Sequence, residues 1–236
     1  MNTTQSNSAT KSEFALKPIE VVSVLVACGL VVTHLVLFAR VPAFWHWSTP
    51  LVILLGLLGA DFVSGVVHWA GDTWGDENTP WFGERFLRPF RFHHARPLDM
   101  LKSNFFTTNG DTALATLPIL LVPFFIPLDT TAGRLIALFV VSVGGWGMWT
   151  SQCHQWAHRK PPRVVAWLQR RGLILSREHH RWHHKAPFAA NYCITTGWCN
   201  GFLTAIRFFP ALEWIISRGT GCRPRRQTTA QPRGAS

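Results

Sequence analysis

The sequence predicts an all-α membrane protein, a polytopic helical bundle of about four spanning helices with a histidine-rich helical cap on its cytoplasmic side. Three observations support this fold class. The mean hydropathy of the chain is +0.12, and 47% of its 236 residues are apolar. The apolar residues are concentrated in runs about as long as a bilayer is thick. Histidines and cations, by contrast, cluster between and after those runs.

Four apolar runs are interpreted as membrane helices. The first two are nearly continuous, and each is long enough to cross the hydrocarbon core. The third is shorter and contains Pro118 and Pro123, which predict a kinked helix. The fourth contains Gly144 and two further glycines, which indicate close helix packing. The predicted spans are residues 21–38, 50–70, 112–127 and 134–156.

The remaining segments are predicted to lie at the membrane surface or outside the fold. Residues 73–111 are polar, aromatic and basic, and residues 160–175 predict an amphipathic surface helix. Residues 187–209 carry too many polar residues for a span and predict an interfacial hairpin or a re-entrant piece. The predicted parts of the chain are a disordered N-terminal tail at residues 1–17, one membrane domain at residues 18–217 and a basic C-terminal tail at residues 218–236.

One carboxylate, Asp61, lies inside the second predicted span. A charge within a membrane is costly, so such a residue usually faces a partner in the bundle interior. We therefore interpret Asp61 as a buried, hydrogen-bonded strut, with a functional role as the alternative.

Positive charge predicts the orientation in the membrane. Of the 23 lysines and arginines, all except Arg40 and Arg134 lie in the N-terminal tail, in residues 72–111 or after residue 157. The positive-inside rule places both termini and the histidine-rich segments in the cytoplasm. This orientation explains the net charge of +11. In a soluble protein such a charge would suggest a nucleic-acid partner, but none is expected here.

The five cysteines contain no CxxC and indicate neither a zinc ribbon nor a disulfide framework.

The stretch SREHHRWHHK, which begins at Ser176, packs four histidines into six consecutive positions. In a helix these form two i,i+4 pairs, a spacing typical of metal ligands. The pairs are His179 with His183 and His180 with His184. The alternative is a solvated basic segment, because three cations are interleaved with the histidines, and these cations are also candidates for pairing with a lipid phosphate. They are Arg177, Arg181 and Lys185.

Five more histidines lie at or beyond the cytoplasmic ends of the predicted spans. Together with one carboxylate they are His68 and Asp72 at i,i+4, His93 and His94, and His154 and His158 at i,i+4. Nine imidazoles are too many for one tetrahedral zinc and suit two ions held by four or five nitrogens each. Such a site beside lipid suggests non-haem iron that activates dioxygen, because cleaving an unactivated C–H bond requires a strong oxidant.

Six segments of the chain form a series of long, specific motifs. They are DFVSGVVHWAGDTWG from Asp61, RPFRFHHARP from Arg88, TNGD from Thr108, HQWAH from His154, ILSREHHRWHH from Ile174 and CITTGWCN from Cys193. These segments are similar to the successive signatures of the plasmanylethanolamine desaturase family, which also contains a plant plastid branch acting on phosphatidylglycerol palmitate. The resemblance covers about residues 58–212.

This resemblance implies a di-iron oxidoreductase that uses dioxygen and forms the vinyl-ether double bond of plasmalogens in the 1-O-alkyl chain of an ether phospholipid. It implies that the nine histidines are catalytic ligands, with Asp72 as a further ligand or orienting group, and that Asn109 and Asp111 support them. No nucleotide-binding fingerprint is present, so an external electron donor of the cytochrome b5 or ferredoxin type is expected. Phe92 departs from the pattern, since the animal branch is expected to carry an acidic residue there.

Three other functions stay open at this point. The same di-iron site could desaturate or hydroxylate acyl lipids, because the histidines determine the oxidant and not the chain that meets it. A divalent-metal transporter would need polar ligands midway through several spans, where only Asp61 and His34 are found. A lipid-binding scaffold would leave the convergent histidines unexplained.

Overall fold

The computed structural model describes residues 15–42, 44, 46–81 and 83–225. Within these residues the regular secondary structure is helical, without a strand. The predicted tails fall outside the described residues up to residue 14 and from residue 226. The α-helices are α1 (Pro18–Arg40), α2 (Thr49–Thr73), α3 (Arg88–Ala95), α4 (Phe105–Leu121), α5 (Thr131–Gly147), α6 (Thr150–His158), α7 (Arg163–Arg170), α8 (Arg177–His183), α9 (Trp198–Ala205) and α10 (Phe208–Thr220).

Three helical segments of the described chain are long and apolar enough to cross a membrane: α1, α2 and the α5–α6 segment Thr131–His158. This confirms an all-helical integral membrane protein. The predicted third span is not among them, because α4 has 17 residues and ends at Leu121. A short 3-10 turn, Val122–Phe125, follows, in which Pro123 has no N–H to continue the α-helical hydrogen bonds.

The chain divides into two compact units, of which the first comprises residues 1–60 and 100–155. Helices α1, α4 and α5 pack together in this unit. The contact is close at Gly144, where an added Cβ would lie 2.7 Å from Leu120 Cδ2. His34 Nε2 lies 2.8 Å from the Leu120 carbonyl, so the imidazole supplies a donor near the end of α4, where the helix has none. The apolar core of this unit includes Val24, Ala27, Phe38, Ala113 and Leu138.

The second unit comprises residues 61–99 and 156–236. Its main apolar cluster is formed by Trp69, Tyr192, Cys193, Leu203 and Phe209. The predicted surface helix at residues 160–175 is present as α7. The predicted interfacial piece consists of α9 and the beginning of α10, which at 8 and 13 residues are too short to cross a bilayer.

The structure confirms the interpretation of Asp61 as a buried, hydrogen-bonded strut. Its side chain is fully buried, and Oδ1 accepts backbone hydrogen bonds from Thr195 at 3.2 Å, Thr196 at 2.7 Å and Gly197 at 2.9 Å. Oδ2 accepts a fourth from Cys199 at 3.0 Å. These N–H groups lie at the start of α9, where a helix has unsatisfied donors and a partial positive charge. The carboxylate of α2 therefore caps α9 and fixes the loop before it.

Candidate metal centre

Helix α2 ends in two of the predicted ligands, His68 and Asp72, which are 1% and 4% exposed. His68 Nδ1 donates a hydrogen bond to the Tyr192 carbonyl at 3.0 Å. This bond fixes the tautomer, so that Nε2 carries the lone pair. Nε2 lies 3.5 Å from Asp72 Oδ2, one turn later on the same helix.

Helix α8 begins because the Ser176 side chain accepts a hydrogen bond from the His179 N–H, a common helix cap. Its inner face carries His180 and His183, which are 1% and 0% exposed. His183 Nδ1 donates to the Ala190 carbonyl at 2.8 Å, so its Nε2 also carries a lone pair. Backbone carbonyls thus orient ligands of both α2 and α8, as is usual for metal-binding histidines.

Eight of the ten predicted ligands form two groups in the second unit, and within each group the donor atoms lie within 4.8 Å of one another. We call the first group the buried cluster. It places the Nε2 atoms of three histidines 3.5 to 3.6 Å from Asp72 Oδ2. Its members are His68, Asp72, His94 and His183.

We call the second group the outer cluster, because three of its four imidazoles are only half-buried. Its Nε2 atoms form a chain of close contacts: 3.1 Å for His93–His184, 2.9 Å for His184–His180 and 2.8 Å for His180–His158. The fifth predicted ligand of this set, His154, is buried one turn before His158 on α6, so the helix presents both imidazoles on one face. Helices α3 and α8 each contribute to both clusters.

The spacing of these donors fits metal ions. An ion about 2.1 Å from two imidazole nitrogens separates them by about 3.0 Å at a right angle and about 3.4 Å at a tetrahedral angle. The contacts of 2.8 to 3.1 Å, including 2.9 Å between His94 and His183, match the right-angled arrangement. His184 Nε2 and His180 Nε2 each face two other Nε2 atoms, and one proton per ring cannot satisfy every contact. A shared cation can accept all these lone pairs.

Asp72 supports the same conclusion. Both of its carboxylate oxygens are buried without a hydrogen-bond donor, an arrangement that is costly unless a charge compensates it. A cation between Oδ2 and the three neighbouring Nε2 atoms would do so. The donor set of imidazoles and one carboxylate suits iron and other borderline transition metals.

The electrostatics of the outer cluster keep its imidazoles neutral and able to bind metal. Burial and the neighbouring His158 and His94 lower the pKa of His184 to about 3. Burial also lowers the pKa of His93 and of His180 well below the usual value, and neighbouring histidines add to the shift. Ligation requires the deprotonated ring, and these groups are deprotonated at neutral pH.

His179 is the predicted ligand that the structure places outside both clusters. Its Nε2 accepts a hydrogen bond from the Asn200 amide at 2.9 Å, and Asn200 also binds the backbone on both sides of Cys193. The His179 ring packs against Gly197, where an added Cβ would lie 3.0 Å away. The side chain thus contacts the loop that Asp61 fixes.

Asn109, a predicted supporting residue, belongs to a buried amide network in the first unit. Its Nδ2 donates to Gln152 Oε1, and Gln152 Nε2 donates to Gln155 Oε1, both at 3.0 Å. Gln155 in turn donates to the carbonyls of Met100 and Ser103. The network anchors α6 on either side of the His154 position. The two glutamines were missed in the sequence, although their i,i+3 spacing across His154 was a usable signal. The other predicted supporting residue, Asp111, is half-buried on α4.

Arg91 is a third residue that sequence reasoning missed. It lies on α3, two positions before His93, and its guanidinium donates to the carbonyls of Trp74, at 3.1 Å, and Gly75, just beyond the end of α2. It also interacts electrostatically with Asp72. Arg91 therefore ties the helix that carries His93 and His94 to the end of the helix that carries His68 and Asp72.

Replacing Arg91 with alanine is expected to lower metal affinity and turnover by roughly 10- to 100-fold, as is common when an outer partner of metal ligands is lost. Arg91→Lys should recover only part of the loss, because lysine keeps the charge but not the forked geometry. Metal titration and turnover of the purified protein measure both effects. The matched control is Arg88→Ala, whose exposed side chain meets Glu84 at 3.8 Å. An equal loss in both variants would contradict the positioning role.

The three predicted headgroup residues, Arg177, Arg181 and Lys185, are exposed on and beside α8. Lys185 Nζ lies 3.4 Å above the Trp182 ring. Arg177 interacts electrostatically with His158 of the outer cluster. The three cations are therefore on the exposed side of α8, next to the ligands and not among them.

The sequence of the chain matches the family model described as "Lipid desaturase domain" over residues 57–227. The chain belongs to the lipid desaturase family. It is therefore a desaturase, an oxidoreductase, and both clusters lie inside the matched region. The earlier resemblance to the plasmanylethanolamine desaturases is confirmed by the comparisons with known proteins.

The chain is similar in sequence to desaturases from a bacterium, an animal and a plant. The chain is 39% identical over 212 residues to "Plasmanylethanolamine desaturase" of Myxococcus xanthus, covering 89% of this chain and 75% of that protein. It is 43% identical over 211 residues to "Plasmanylethanolamine desaturase 1" of Mus musculus, covering 85% and 75%. It is 38% identical over 175 residues to "Fatty acid desaturase 4, chloroplastic" of Arabidopsis thaliana, covering 72% and 52%. No solved structure matches the chain.

Proposed function

We propose that this lipid desaturase is a di-iron, O2-dependent enzyme that forms the vinyl-ether double bond of plasmalogens from a 1-O-alkyl ether phospholipid. The observation that carries the proposal is the pair of histidine clusters, which two helices, α3 and α8, supply jointly. Two separate ligand sets so close together suit a dinuclear centre better than two independent structural ions. The two plasmanylethanolamine desaturases among the relatives support the ether lipid as substrate.

The reaction removes one hydrogen atom from each of C1 and C2 of the O-alkyl chain. One O2, two electrons and two protons are consumed with these hydrogens, and two water molecules are formed. Bound iron supplies the activation of dioxygen and the oxidising power that side-chain acids and bases lack. The electrons come from a separate donor of the cytochrome b5 or ferredoxin type.

Residues of the chain orient the imidazole ligands and keep water away from them. The carbonyls of Tyr192 and Ala190 keep the protons of His68 and His183 on Nδ1, so that both Nε2 atoms face the metal position. Burial of His68, Asp72 and His183 excludes bulk water from the more interior cluster, which would limit side reactions at a bound metal. The Asp72 carboxylate would offset part of the charge of that metal.

The orientation is part of the proposal. Both termini and the two clusters lie on the cytoplasmic side, as the distribution of lysine and arginine predicts. Helix α4 would cross together with its 3-10 extension as a fourth, short span, which a local thinning of the bilayer can accommodate.

The nearest alternative is an acyl-lipid desaturase or hydroxylase with the same centre, and the chloroplastic fatty acid desaturase among the relatives keeps it open. The transporter alternative loses its main candidate ligand, because four backbone N–H groups donate hydrogen bonds to the two carboxylate oxygens of Asp61. These bonds give the carboxylate a structural role.

Feeding cells a 1-O-alkyl glycerol tests the proposal. With the wild-type protein under air, acid-labile vinyl ethers are expected in the ether lipids; under nitrogen, or with a His68→Ala variant, none are expected. Mass spectrometry before and after mild acid measures them. Acid-stable unsaturation in acyl chains, with no vinyl ether, would replace the proposal by acyl-lipid desaturation.

A further inference from the structure

The outer surface of helix α8 carries a compact basic and aromatic patch, which we call the α8 patch. Trp182 is 55% exposed, and Lys185 Nζ lies 3.4 Å above its ring. The patch consists of Arg177, Arg181, Trp182 and Lys185, all of them exposed. The exposed Glu178 lies among them, which leaves the patch with a net positive charge. Exposed tryptophan and arginine are typical of the residues that dominate protein–protein interfaces.

The adjoining face of the same helix carries metal ligands. His180 and the C-cap His184 belong to the outer cluster, and His183 belongs to the buried cluster. A helix with its side chains is about 10 to 12 Å across. A molecule bound to the α8 patch would therefore lie within about one helix diameter of both clusters.

The two clusters differ in their accessibility. The buried cluster has fully buried members in His68 and His183, whereas His93, His158 and His184 of the outer cluster are half-buried. Lys185 follows His184 directly, and Arg177 and Arg181 precede it by seven and three positions, which puts them near its side of the helix. Arg177 also interacts electrostatically with His158, so cations of the α8 patch lie beside the accessible edge of the outer cluster.

The proposed reaction needs two electrons from outside the chain, and its donor must come close to the metals. A positive surface attracts a negatively charged partner and speeds its association. Lipid phosphate would also bind these cations, but a headgroup there does not explain why the patch lies over the accessible edge of the outer cluster. Accessibility, position and charge together favour a protein donor.

We propose that the α8 patch is the docking surface for an acidic one-electron redox protein, which delivers electrons through the outer cluster. This inference rests on the proposed function, because it assigns the entry point of the electrons that the desaturation consumes. Arg181 and Trp182 are the central contacts, and Arg177 and Lys185 guide the approach.

The test uses the full chain loaded with iron and oxidised to the ferric state, in neutral detergent and without oxygen. The reduced soluble haem domain of a cytochrome b5, an acidic one-electron protein, is mixed with it, and the haem absorbance reports electron transfer. Arg181→Glu is expected to slow the second-order rate about tenfold or more at low salt. The matched control is Arg218→Glu on α10, whose arginine lies 5.4 Å from the Trp214 ring and whose rate should stay within about twofold of the wild type.

Dithionite with a small mediator reduces the same samples without protein docking. An equal dithionite rate and an equal iron content for Arg181→Glu show that the centre is intact, and Lys185→Gln provides a milder second variant with a smaller expected loss. Unchanged haem oxidation in Arg181→Glu, or an equal loss in Arg218→Glu, would overturn the inference. So would a defect that appears only as lost binding to anionic vesicles, since it would assign the patch to lipid headgroups.

The outcome is separable from that of the proposed function. If dithionite supports vinyl-ether formation and Arg181→Glu leaves haem oxidation unchanged, the docking surface is wrong and the desaturase stands. If the haem domain reduces the iron through the patch but no ether lipid is desaturated, the docking surface stands and the substrate proposal fails.

Discussion

Replacing His183 with alanine is expected to abolish desaturation and to lower bound iron from about two ions to about one per chain. His183 is fully buried, and its Nε2 lies 2.9 Å from His94 Nε2 and 3.5 Å from Asp72 Oδ2. A site that loses one of four ligands binds its ion weakly, and a dinuclear reaction requires both ions. Iron analysis and turnover of the purified protein measure the two effects.

His179→Ala is the matched control for this prediction. It lies four residues earlier on the same helix, and its ring binds Asn200 instead of facing a cluster. The variant should keep about two irons and measurable turnover, with some loss of stability. Loss of one iron in His179→Ala, or two irons in His183→Ala, would contradict the two clusters as described.

Replacing Asp61 with asparagine is expected to have the largest effect on stability. The carboxylate accepts four backbone hydrogen bonds at the start of α9, whereas asparagine offers one acceptor oxygen and an NH2 group that would face other donors. Buried donors without a partner cost about 1 to 3 kcal/mol each. With its oxygen at the Oδ1 position, asparagine leaves the Cys199 N–H without an acceptor and weakens the other three bonds, which lose a charged acceptor. We expect a loss of about 2 to 4 kcal/mol in the free energy of unfolding, and a fall of roughly 5 to 10 °C in the midpoint of thermal unfolding in detergent.

The control for Asp61 is Asp76→Asn, which alters an exposed turn where the carboxylate accepts one hydrogen bond from the Asn78 N–H. Its midpoint should shift by no more than about 2 °C. If Asp61→Asn melts within that range and keeps its iron, the capping role of Asp61 is wrong. A variant that fails to assemble at all agrees with the role, provided that Asp76→Asn assembles normally.

Helical periodicity was enough to predict most of the candidate site. The i,i+4 spacing of His68 with Asp72 and of His180 with His184 places each pair on one helix face, and each pair lies in one cluster. Spacing alone treats His179 like His180, because both have a partner four residues later. The choice between them depends on contacts distant in sequence. Asn200 binds the His179 ring, whereas His158 contacts His180 and His93 contacts His184.

The residues that position the ligands were harder to predict. Arg91 acts through carbonyls at the end of another helix, and a sequence does not show which carbonyls lack a partner. Gln152 and Gln155 lie near the end of the fourth predicted span, and the sequence alone does not show which polar groups they bind. The membrane helices were predicted well from hydropathy, except that Pro123 ends the α-helical geometry soon after Leu121 and shortens the third predicted span.

The most direct test of the account is a single turnover with the purified, iron-loaded and chemically reduced protein and a 1-O-alkyl ether phospholipid in detergent. Admitting dioxygen is expected to give about one vinyl ether for every two bound irons, while an anaerobic sample gives none. If the reduced, fully iron-loaded protein forms no vinyl ether with dioxygen, or forms it without dioxygen, the assignment as an O2-dependent di-iron plasmanyl-lipid desaturase is wrong.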